Sequence, residues 1–238
     1  MNKVVMLLSL LTLLVSFWNR NALPRNVDFV PSLIEEPLQR ATQEKPFEIN
    51  YNGVDYVVAP EYRYDITGMV VSYRHHTQDN SRMHRLSADH LNMMDLCVIW
   101  GDNRNAMLNK IKFWNGIFTC NVSTRDREAW NSFDMNQLSN NHLLSTDERI
   151  RDEVKAVRIG DQIRIQGYLA SYTGPTGTRG TSTTRTDTGD GACETIFIDT
   201  FRIVESTLNL WRVSLYASIA VLLGSLAVHF LRPYRPHR

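Results

Sequence analysis

Histidine is the most concentrated of the side chains that could do chemistry in this sequence. Four of the seven histidines fall within sixteen residues, with Asp79 and Asp89 among them. Imidazole and carboxylate groups are ligands for zinc, copper and iron. The spacing fits no defined metal motif, so a solvated polar surface is the other interpretation. We expect no obligatory cofactor, and metal or haem binding is the alternative for His75, His76, His84 and His90.

The three cysteines lack the paired spacing of a zinc site and are too few for a disulfide-stapled miniprotein. Cys97 begins one predicted strand and Cys120 ends the next, which places both at the same end of an antiparallel pair. A Cys97–Cys120 disulfide is therefore the pairing that we expect in an oxidising compartment. Cys193 fits a buried structural cysteine better than a nucleophile, for which His142 is the candidate base.

A loop rich in glycine, threonine, arginine and aspartate spans residues 173–191. Arginine, hydroxyl groups and glycine amides can together bind an anion or a saccharide. A flexible, solvated loop is the competing interpretation. The candidate ligand-binding residues are Arg179, Ser182, Arg185, Asp187 and Asp190. The sequence contains no complete catalytic set, so we predict no catalytic residue.

The elements that must position these residues centre on a strand at residues 161–172, where apolar and polar side chains alternate. A helix at residues 145–157 precedes it, with Ser145 and Glu148 as a capping box. Other predicted strands lie at residues 62–73, 96–100 and 193–204. Hairpins at residues 47–59 and 110–122 each turn at Asn-Gly.

The remaining stretches are predicted as connections or short turns. They are a short helix at residues 31–40, a helical turn at 87–94 and a polar connection at 123–141. Asn140, Asn141 and His142 are predicted to form a turn that leads into the helix. The second hairpin then supplies the third barrel strand, and a helix between the third and fourth strands is the order of an OB barrel. We predict a mainly β protein with one clear helix, an OB-like five-stranded barrel flanked by two transmembrane helices. Another small mixed α and β barrel is the main alternative.

Apolar segments close to both ends predict membrane helices. Residues 4–18 are short for a hydrocarbon core and fit an uncleaved signal anchor, with a cleaved secretory signal as the alternative. Residues 213–231 are long enough to span. Arg232, Arg235 and Arg238 favour a cytoplasmic C-terminus. The predicted organisation is a signal anchor at 1–18, a linker at 19–45, an extracytoplasmic domain at 46–206, a helix at 210–231 and a basic tail at 232–238.

Several phrases of the sequence occur together in a recognisable pattern: YDITGMVVSYRHH, DLCVIWGDN, LSNNHLL, GDQIRIQGYLASY and RGTSTTRTDTGDGACE. They resemble a group of uncharacterised bacterial membrane-anchored proteins. The resemblance covers most of the chain and implies a bacterial inner-membrane protein. It implies no activity and no catalytic residue.

The function that these features favour is a non-enzymatic, membrane-anchored binding or assembly module for an envelope protein or ligand. A metal- or haem-handling protein is one alternative, and an envelope hydrolase or thiol enzyme that uses His142, Cys193 or the arginine- and aspartate-containing loop is another. The net charge of +1 is too small for a dedicated nucleic-acid binder. The expected partners are therefore the membrane and a second envelope protein, with the central domain in the periplasm and both termini in the cytoplasm.

Overall fold

The computed structural model describes residues 2–23, 27–76, 89–187 and 192–231. The chain divides into a helical unit, made from Met1–Ala22 and Leu208–Arg238, and a β unit, Leu23–Thr207. The two ends of the chain therefore belong to the same unit.

The helical unit pairs α1 (Asn2–Asn19) with α4 (Leu210–Leu231). Small polar residues are buried in it: Ser9 donates to the Val5 carbonyl at 2.7 Å, and Ser218 to the Leu215 carbonyl at 2.8 Å. Serine has a small side chain, so it lets two helices approach closely while its hydroxyl bonds to its own helix. Asn209 caps α4, because its side-chain oxygen accepts from the backbone amide of Trp211 at 2.9 Å.

Of the two predicted transmembrane helices, one is supported. Among the described residues, α4 alone is long and apolar enough to cross a membrane, with a mean hydropathy of 1.8 in its most apolar window. Its 22 residues span about 33 Å at 1.5 Å per residue, against a hydrocarbon core of about 30 Å. The apolar part of α1, Lys3–Asn19, is shorter than a full span.

The described part of the β unit contains ten strands and two α-helices. The helices are α2 (Arg127–Asn131) and α3 (Glu148–Ala156). The strands are β1 (Leu38–Ala41), β2 (Phe47–Tyr51), β3 (Val54–His75), β4 (Asn92–Ile99), β5 (Lys112–Asn115), β6 (Cys120–Ser123), β7 (Leu138–Leu144), β8 (Gln162–Gly174), β9 (Gly177–Arg179) and β10 (Cys193–Glu205).

Eight of these strands form one sheet in the order β1-β3-β4-β7-β10-β8-β9, with β2 also paired to β3. Strands β7 and β10 run parallel, and the other pairs are antiparallel. Strand β3 pairs with β8 up to Met69 and with β4 from Met69 onward. Only Met69 pairs with both neighbours, so the sheet turns back on itself at β3 without becoming a closed barrel. The predicted barrel is wrong in closure, and the strands β1, β2 and β9 are additional to the five that were predicted.

Where the sheet turns back at Met69, the backbones of β3 and β4 must lie close together. A Cβ atom added to Gly68 would lie 3.1 Å from the Ile99 carbonyl oxygen and 3.1 Å from the Cβ of Val98. Glycine therefore lets β3 and β4 come together where β3 changes partner. Ile66, Val98 and Ile165 lie in the adjoining apolar core, and each buried side chain of this kind contributes about 1.5–3 kcal/mol.

Several predicted elements are present with shifted boundaries. The first hairpin is confirmed, with Asn52 and Gly53 at φ values of 52° and 77°. The predicted helix begins at Glu148 rather than Ser145, because Asp147 is the N-cap and accepts from the Arg149 amide at 2.8 Å. The predicted helix at residues 31–40 is a 3₁₀ turn at Pro31–Ile34 followed by β1. The helical turn predicted at 87–94 is wrong from residue 92, where β4 begins, and residues 87 and 88 lie outside the described ranges.

The third central strand was assigned to the wrong segment. The second hairpin, β5 and β6, is a separate two-stranded sheet, and four residues rather than two connect its strands. Within that turn Phe118 has a φ of 58°. The third strand is β7, which lies in the stretch predicted to be a connection and a turn. Its sequence, LSNNHLL, is polar in the middle, yet six of its seven residues are buried.

Candidate active site

Strands β4, β7 and β10 align two rows of polar side chains on one face of the sheet. In the first row Asp95 lies opposite His142. In the second row Cys97 lies opposite Asn140, and Asn140 lies opposite Cys193. Residues two positions apart on a strand project from the same face, so the two rows are adjacent. A carboxylate, an imidazole, an amide and two sulfur atoms therefore meet on this face.

Asp95 is completely buried and contacts two histidines through one oxygen. Its Oδ1 lies 2.5 Å from His142 Nδ1 and 2.8 Å from His76 Nε2. Burial alone would raise the pKa of Asp95, but the hydrogen bonds from His142 and His76 outweigh it and hold that pKa well below its usual range. Asp95 is therefore a buried anion whose partners are imidazoles.

His142 lies between the buried carboxylate and the thiol of Cys193. Burial would lower the pKa of His142, but hydrogen bonds to Asp95 and to Cys193 raise it to about 10. The Phe118 ring packs edge-on against the imidazole, with ring centroids 5.8 Å apart. The Nδ1 contact with Asp95 fixes the orientation of the imidazole ring.

Cys193 is the free cysteine of the chain and is partly exposed. Its Sγ lies 3.4 Å from the Nδ2 of Asn140 and 3.4 Å from the Phe118 carbonyl oxygen. Asn140 is itself oriented, because its Oδ1 accepts from Asn115 Nδ2 at 3.1 Å. Ser72 in turn donates to Asn115 Oδ1 at 2.6 Å. A continuous series of hydrogen bonds thus runs from β3 to the thiol.

A disulfide holds the second hairpin over this face. Cys97 and Cys120, the pair favoured from the sequence, are joined, with Cα atoms 5.7 Å apart. The link ties β6 to β4 and places Phe118, two residues before Cys120, against both His142 and Cys193. The disulfide is therefore part of the support of the site.

The thiol faces a cleft of about 800 Å³. Arg179 and Asp187 from the glycine- and threonine-rich loop also line it, together with Phe118, Asn140, His142 and Cys193. Arg179 Nε is 3.0 Å from Asp89 Oδ2, and Asp187 accepts from the Ser182 hydroxyl at 2.6 Å. Two of the predicted ligand-binding residues, Arg179 and Asp187, thus line the cleft of the thiol, and Ser182 supports Asp187, whereas Asp190 lies outside the described residues.

The fifth predicted ligand-binding residue, Arg185, points away from the cleft. Its Nη1 is 3.0 Å from Glu194 Oε1, and its guanidinium lies over the Trp100 ring at 4.9 Å. Glu194 follows Cys193 in β10 and therefore projects from the opposite face. Burial raises the pKa of Glu194 to about 7, although Arg185 opposes the shift. Arg185 is thus a partly buried residue that pairs with Glu194 outside the cleft of the thiol.

The predicted metal-binding histidines are dispersed in the part of the chain that is described. His76 contacts Asp95, the ring of His75 packs on Tyr73 at 5.1 Å, and His90 is exposed. His84 lies outside the described ranges. No group of three or more histidine, cysteine, aspartate or glutamate residues within those ranges is placed to hold a metal ion.

Two residues of the site, Asp95 and Asn140, were missed in the sequence. The turn role predicted for Asn140, Asn141 and His142 is wrong, because all three lie in β7. Asp95 interrupts the buried run NMMDLCVI of β4. A carboxylate is rarely buried in such a run unless it is paired, and this is the feature that could have identified it.

No family model, curated protein or solved structure matches this chain. The chemical capacity of the site therefore rests on its own geometry. A thiol, a histidine and an orienting carboxylate in series form the arrangement that activates a cysteine nucleophile.

Proposed function

We propose that this protein is a cysteine-dependent enzyme that transfers or hydrolyses an acyl group in the cleft beside Cys193. The observation that supports it is the series Cys193–His142–Asp95, with the thiol on the wall of the cleft and the carboxylate buried behind the imidazole. A positively charged imidazole within hydrogen-bond reach stabilises a thiolate.

In the proposed reaction the Cys193 thiolate attacks the carbonyl carbon of an ester, thioester or amide. A carbon–sulfur bond forms, and the carbonyl electron pair moves to the oxygen. When the tetrahedral intermediate collapses, the leaving group departs with a proton from His142 Nε2, and a thioester remains on Cys193. His142, now neutral, takes a proton from water, which releases the acid and restores the thiolate–imidazolium pair.

Asn140 is the side chain that we propose to stabilise the oxyanion. Its Nδ2 is already 3.4 Å from the nucleophilic sulfur, and Asn115 fixes the orientation of the amide through Oδ1. A preorganised amide donor near the nucleophile is a frequent means of stabilising the negative charge that develops on the carbonyl oxygen.

We also propose that α4 anchors the protein in a bacterial inner membrane, with the β unit outside the cytoplasm. The Cys97–Cys120 disulfide supports this location, since disulfides persist in oxidising compartments. In spheroplasts, a membrane-impermeant maleimide should label Cys193 without lysis. Labelling that requires lysis would place the β unit in the cytoplasm.

An OB-like framework is the further architectural proposal. The central strands follow the order β3-β4-β7-β10-β8, strands β7 and β10 are parallel, and α3 lies between the third and fourth of them in the chain. These features support a relation to the partly open five-stranded OB arrangement. The additional strands β1, β2 and β9 extend it.

The alkylation rate of Cys193 by iodoacetamide tests the enzymatic proposal, with the full chain in detergent micelles. At about pH 5.5 an ordinary thiol is ~0.1% ionised, so we expect Cys193 to react about 100-fold faster than free cysteine. His142→Asn should remove this advantage, whereas His90→Asn, a substitution at an exposed histidine of the same unit, should retain it. Incubation with p-nitrophenyl acetate should then give an acetylated Cys193 in the intact mass spectrum.

A rate equal to that of free cysteine at this pH would contradict the enzymatic proposal. The non-enzymatic envelope binding module favoured by the sequence would then be the better explanation of the cleft. A fast rate that survives His142→Asn would instead remove His142 from the proposed role.

A further inference from the structure

Arg179 is held on the cleft wall by a buried carboxylate. Its Nε lies 3.0 Å from Asp89 Oδ2, and the Asp89 side chain is 4% exposed. The Tyr172 hydroxyl donates to the same oxygen at 2.8 Å. Burial and the neighbouring Asp89 raise the pKa of Tyr172, so its hydroxyl keeps its proton and remains a donor. Asp89 therefore fixes the guanidinium from behind.

The Arg179 guanidinium makes a second contact, with an aromatic ring. Its Cζ lies 5.2 Å from the centre of the Phe118 ring, the same ring that packs against His142. Phe118 thus lies between the cation of the loop and the base of the thiol site. The Arg179 side chain remains 37% exposed and lines the same cleft as Cys193.

The chemistry of a guanidinium held in this way favours an oxyanion. A guanidinium has five N–H donors, and the pairing of Arg179 at Nε leaves the donors of its two Nη groups available as far as the described residues extend. Two parallel N–H donors match the geometry of a carboxylate better than that of a neutral amide or hydroxyl. The cleft, at about 800 Å³, has the size of a site for a small-molecule or peptide-end ligand.

We infer that Arg179 binds a carboxylate of the substrate, so that the cleft selects acyl donors with a free carboxylate away from the reacting carbonyl. This inference rests on the proposed function, because it names the substrate class of the same thiol site. Asp187, on the same loop, has the opposite charge and disfavours a second anion beside it. Arg179 is thus a specificity residue, and Asp89 and Tyr172 are its positioning residues.

Matched maleimides that alkylate Cys193 test the inference. Each pair carries either a carboxylate or a primary amide at the end of a spacer of about one to five methylenes, which covers the unknown reach from thiol to guanidinium. The readout is the ratio of the two alkylation rates, measured on the full chain in detergent. Cys97 and Cys120 are joined, so Cys193 is the thiol that reacts.

We expect the carboxylate member to react about tenfold faster at the best spacer, as for a charge-assisted bidentate contact. Arg179→Gln should bring the ratio to about one while the amide member keeps its rate within about twofold. Asp187→Asn is the matched control on the same loop, and it should maintain or increase the ratio.

Two results would overturn the inference: a ratio near one at every spacer in the unmodified protein, or a ratio that Arg179→Gln leaves unchanged. If Arg179→Gln alters the near-ultraviolet circular dichroism, Arg179→Lys replaces it. Lysine keeps the positive charge but lacks the two parallel N–H donors of a guanidinium, so the ratio of carboxylate to amide alkylation rates should fall at least about threefold. Slow reaction of the amide maleimides at acidic pH would contradict the enzymatic proposal but not the role of Arg179. The ratio of the two alkylation rates reports carboxylate recognition at any absolute rate.

Discussion

Cys193 and Glu194 are neighbours in β10, yet they belong to two buried charged clusters on opposite faces of the sheet. On the cleft face, Asp95 contacts His142 and His76. On the other face, Glu194 contacts Arg185, whose guanidinium lies over the rings of Tyr64 and Trp100. Both carboxyl groups are nearly inaccessible, at 0% and 5% side-chain exposure. The pKa of the first is nevertheless lowered, and the pKa of the second is raised to about 7.

The number of close partners explains the difference. Two imidazoles share one oxygen of Asp95, so the favourable interactions exceed the cost of burying the charge. Glu194 has one close cation, the Arg185 guanidinium, whose Nη1 lies 3.0 Å from Oε1. A buried carboxyl remains ionised where partners converge on it, and in this molecule that place is the face with the thiol.

The substitution that we expect to reduce the stability of the protein most is Asp95→Ala. The substitution leaves His142 without its carboxylate and creates a cavity, so we expect the free energy of unfolding to fall by about 3–5 kcal/mol. Urea unfolding of the β unit, followed by tryptophan fluorescence, measures it. The matched control is Asp65→Asn, which breaks the partly exposed pair with Arg164 and should cost below about 1 kcal/mol. Equal losses in the two variants would show that the Asp95 cluster gives no special stabilisation.

The second effect is a loss of stability at alkaline pH that depends on His142. Its pKa is raised in the folded protein to about 10, from an ordinary value near 6.5. The stabilisation is therefore complete below about pH 6.5 and is lost as the pH rises through about 10. The advantage of the unmodified protein over His142→Gln should shrink by about 2–4 kcal/mol across this range. An advantage that does not change with pH would contradict the assigned ion pair.

The third effect is smaller and concerns Glu194. Because burial raises the pKa of this acid from 4.5 to about 7, the folded state loses stability as the pH rises from 4.5 through 7. Glu194→Gln cannot ionise, so its stability relative to the unmodified protein should increase by about 2–3 kcal/mol over that range. Thermal unfolding at a series of pH values measures it. A relative stability that decreases instead would mean that Glu194 is ionised and well paired.

The sequence predicts an element of this fold where the conformation depends on adjacent residues, and it fails where the conformation depends on residues distant in the chain. The alternation of β8 and the Asn52-Gly53 turn depend on adjacent residues, and both are found where they were predicted. Strand β7 could not be recognised by alternation, since asparagine and histidine on its cleft face resemble a polar connection. Its strand conformation is imposed by pairing with β4 and β10, which are distant in sequence.

The candidate site shows the same limit. Cys193 and His142 could be named from residue type, because few groups in the chain can act as nucleophile and base. Asp95 and Asn140 could not be added without the register that places Asp95 opposite His142 and Asn140 opposite Cys193. Likewise the sequence could not separate Arg179 from Arg185, which the structure directs to opposite faces of the sheet.

The smallest expected change in stability is that of an exposed ion pair. It tests whether the stabilisation by the Asp95 cluster depends on burial or would arise from any pair of opposite charges. Arg63 and Asp199 form an ion pair whose side chains are 49% and 36% exposed. In water such a pair is screened and must hold two mobile side chains, so Asp199→Asn should lower the free energy of unfolding by below about 1 kcal/mol. About 1 M salt should abolish even that difference, whereas it should leave the Asp95→Ala effect largely intact. Urea unfolding at low and high salt measures both. If Asp199→Asn cost as much as Asp95→Ala, the convergence of buried partners on Asp95 could not be the source of its stability.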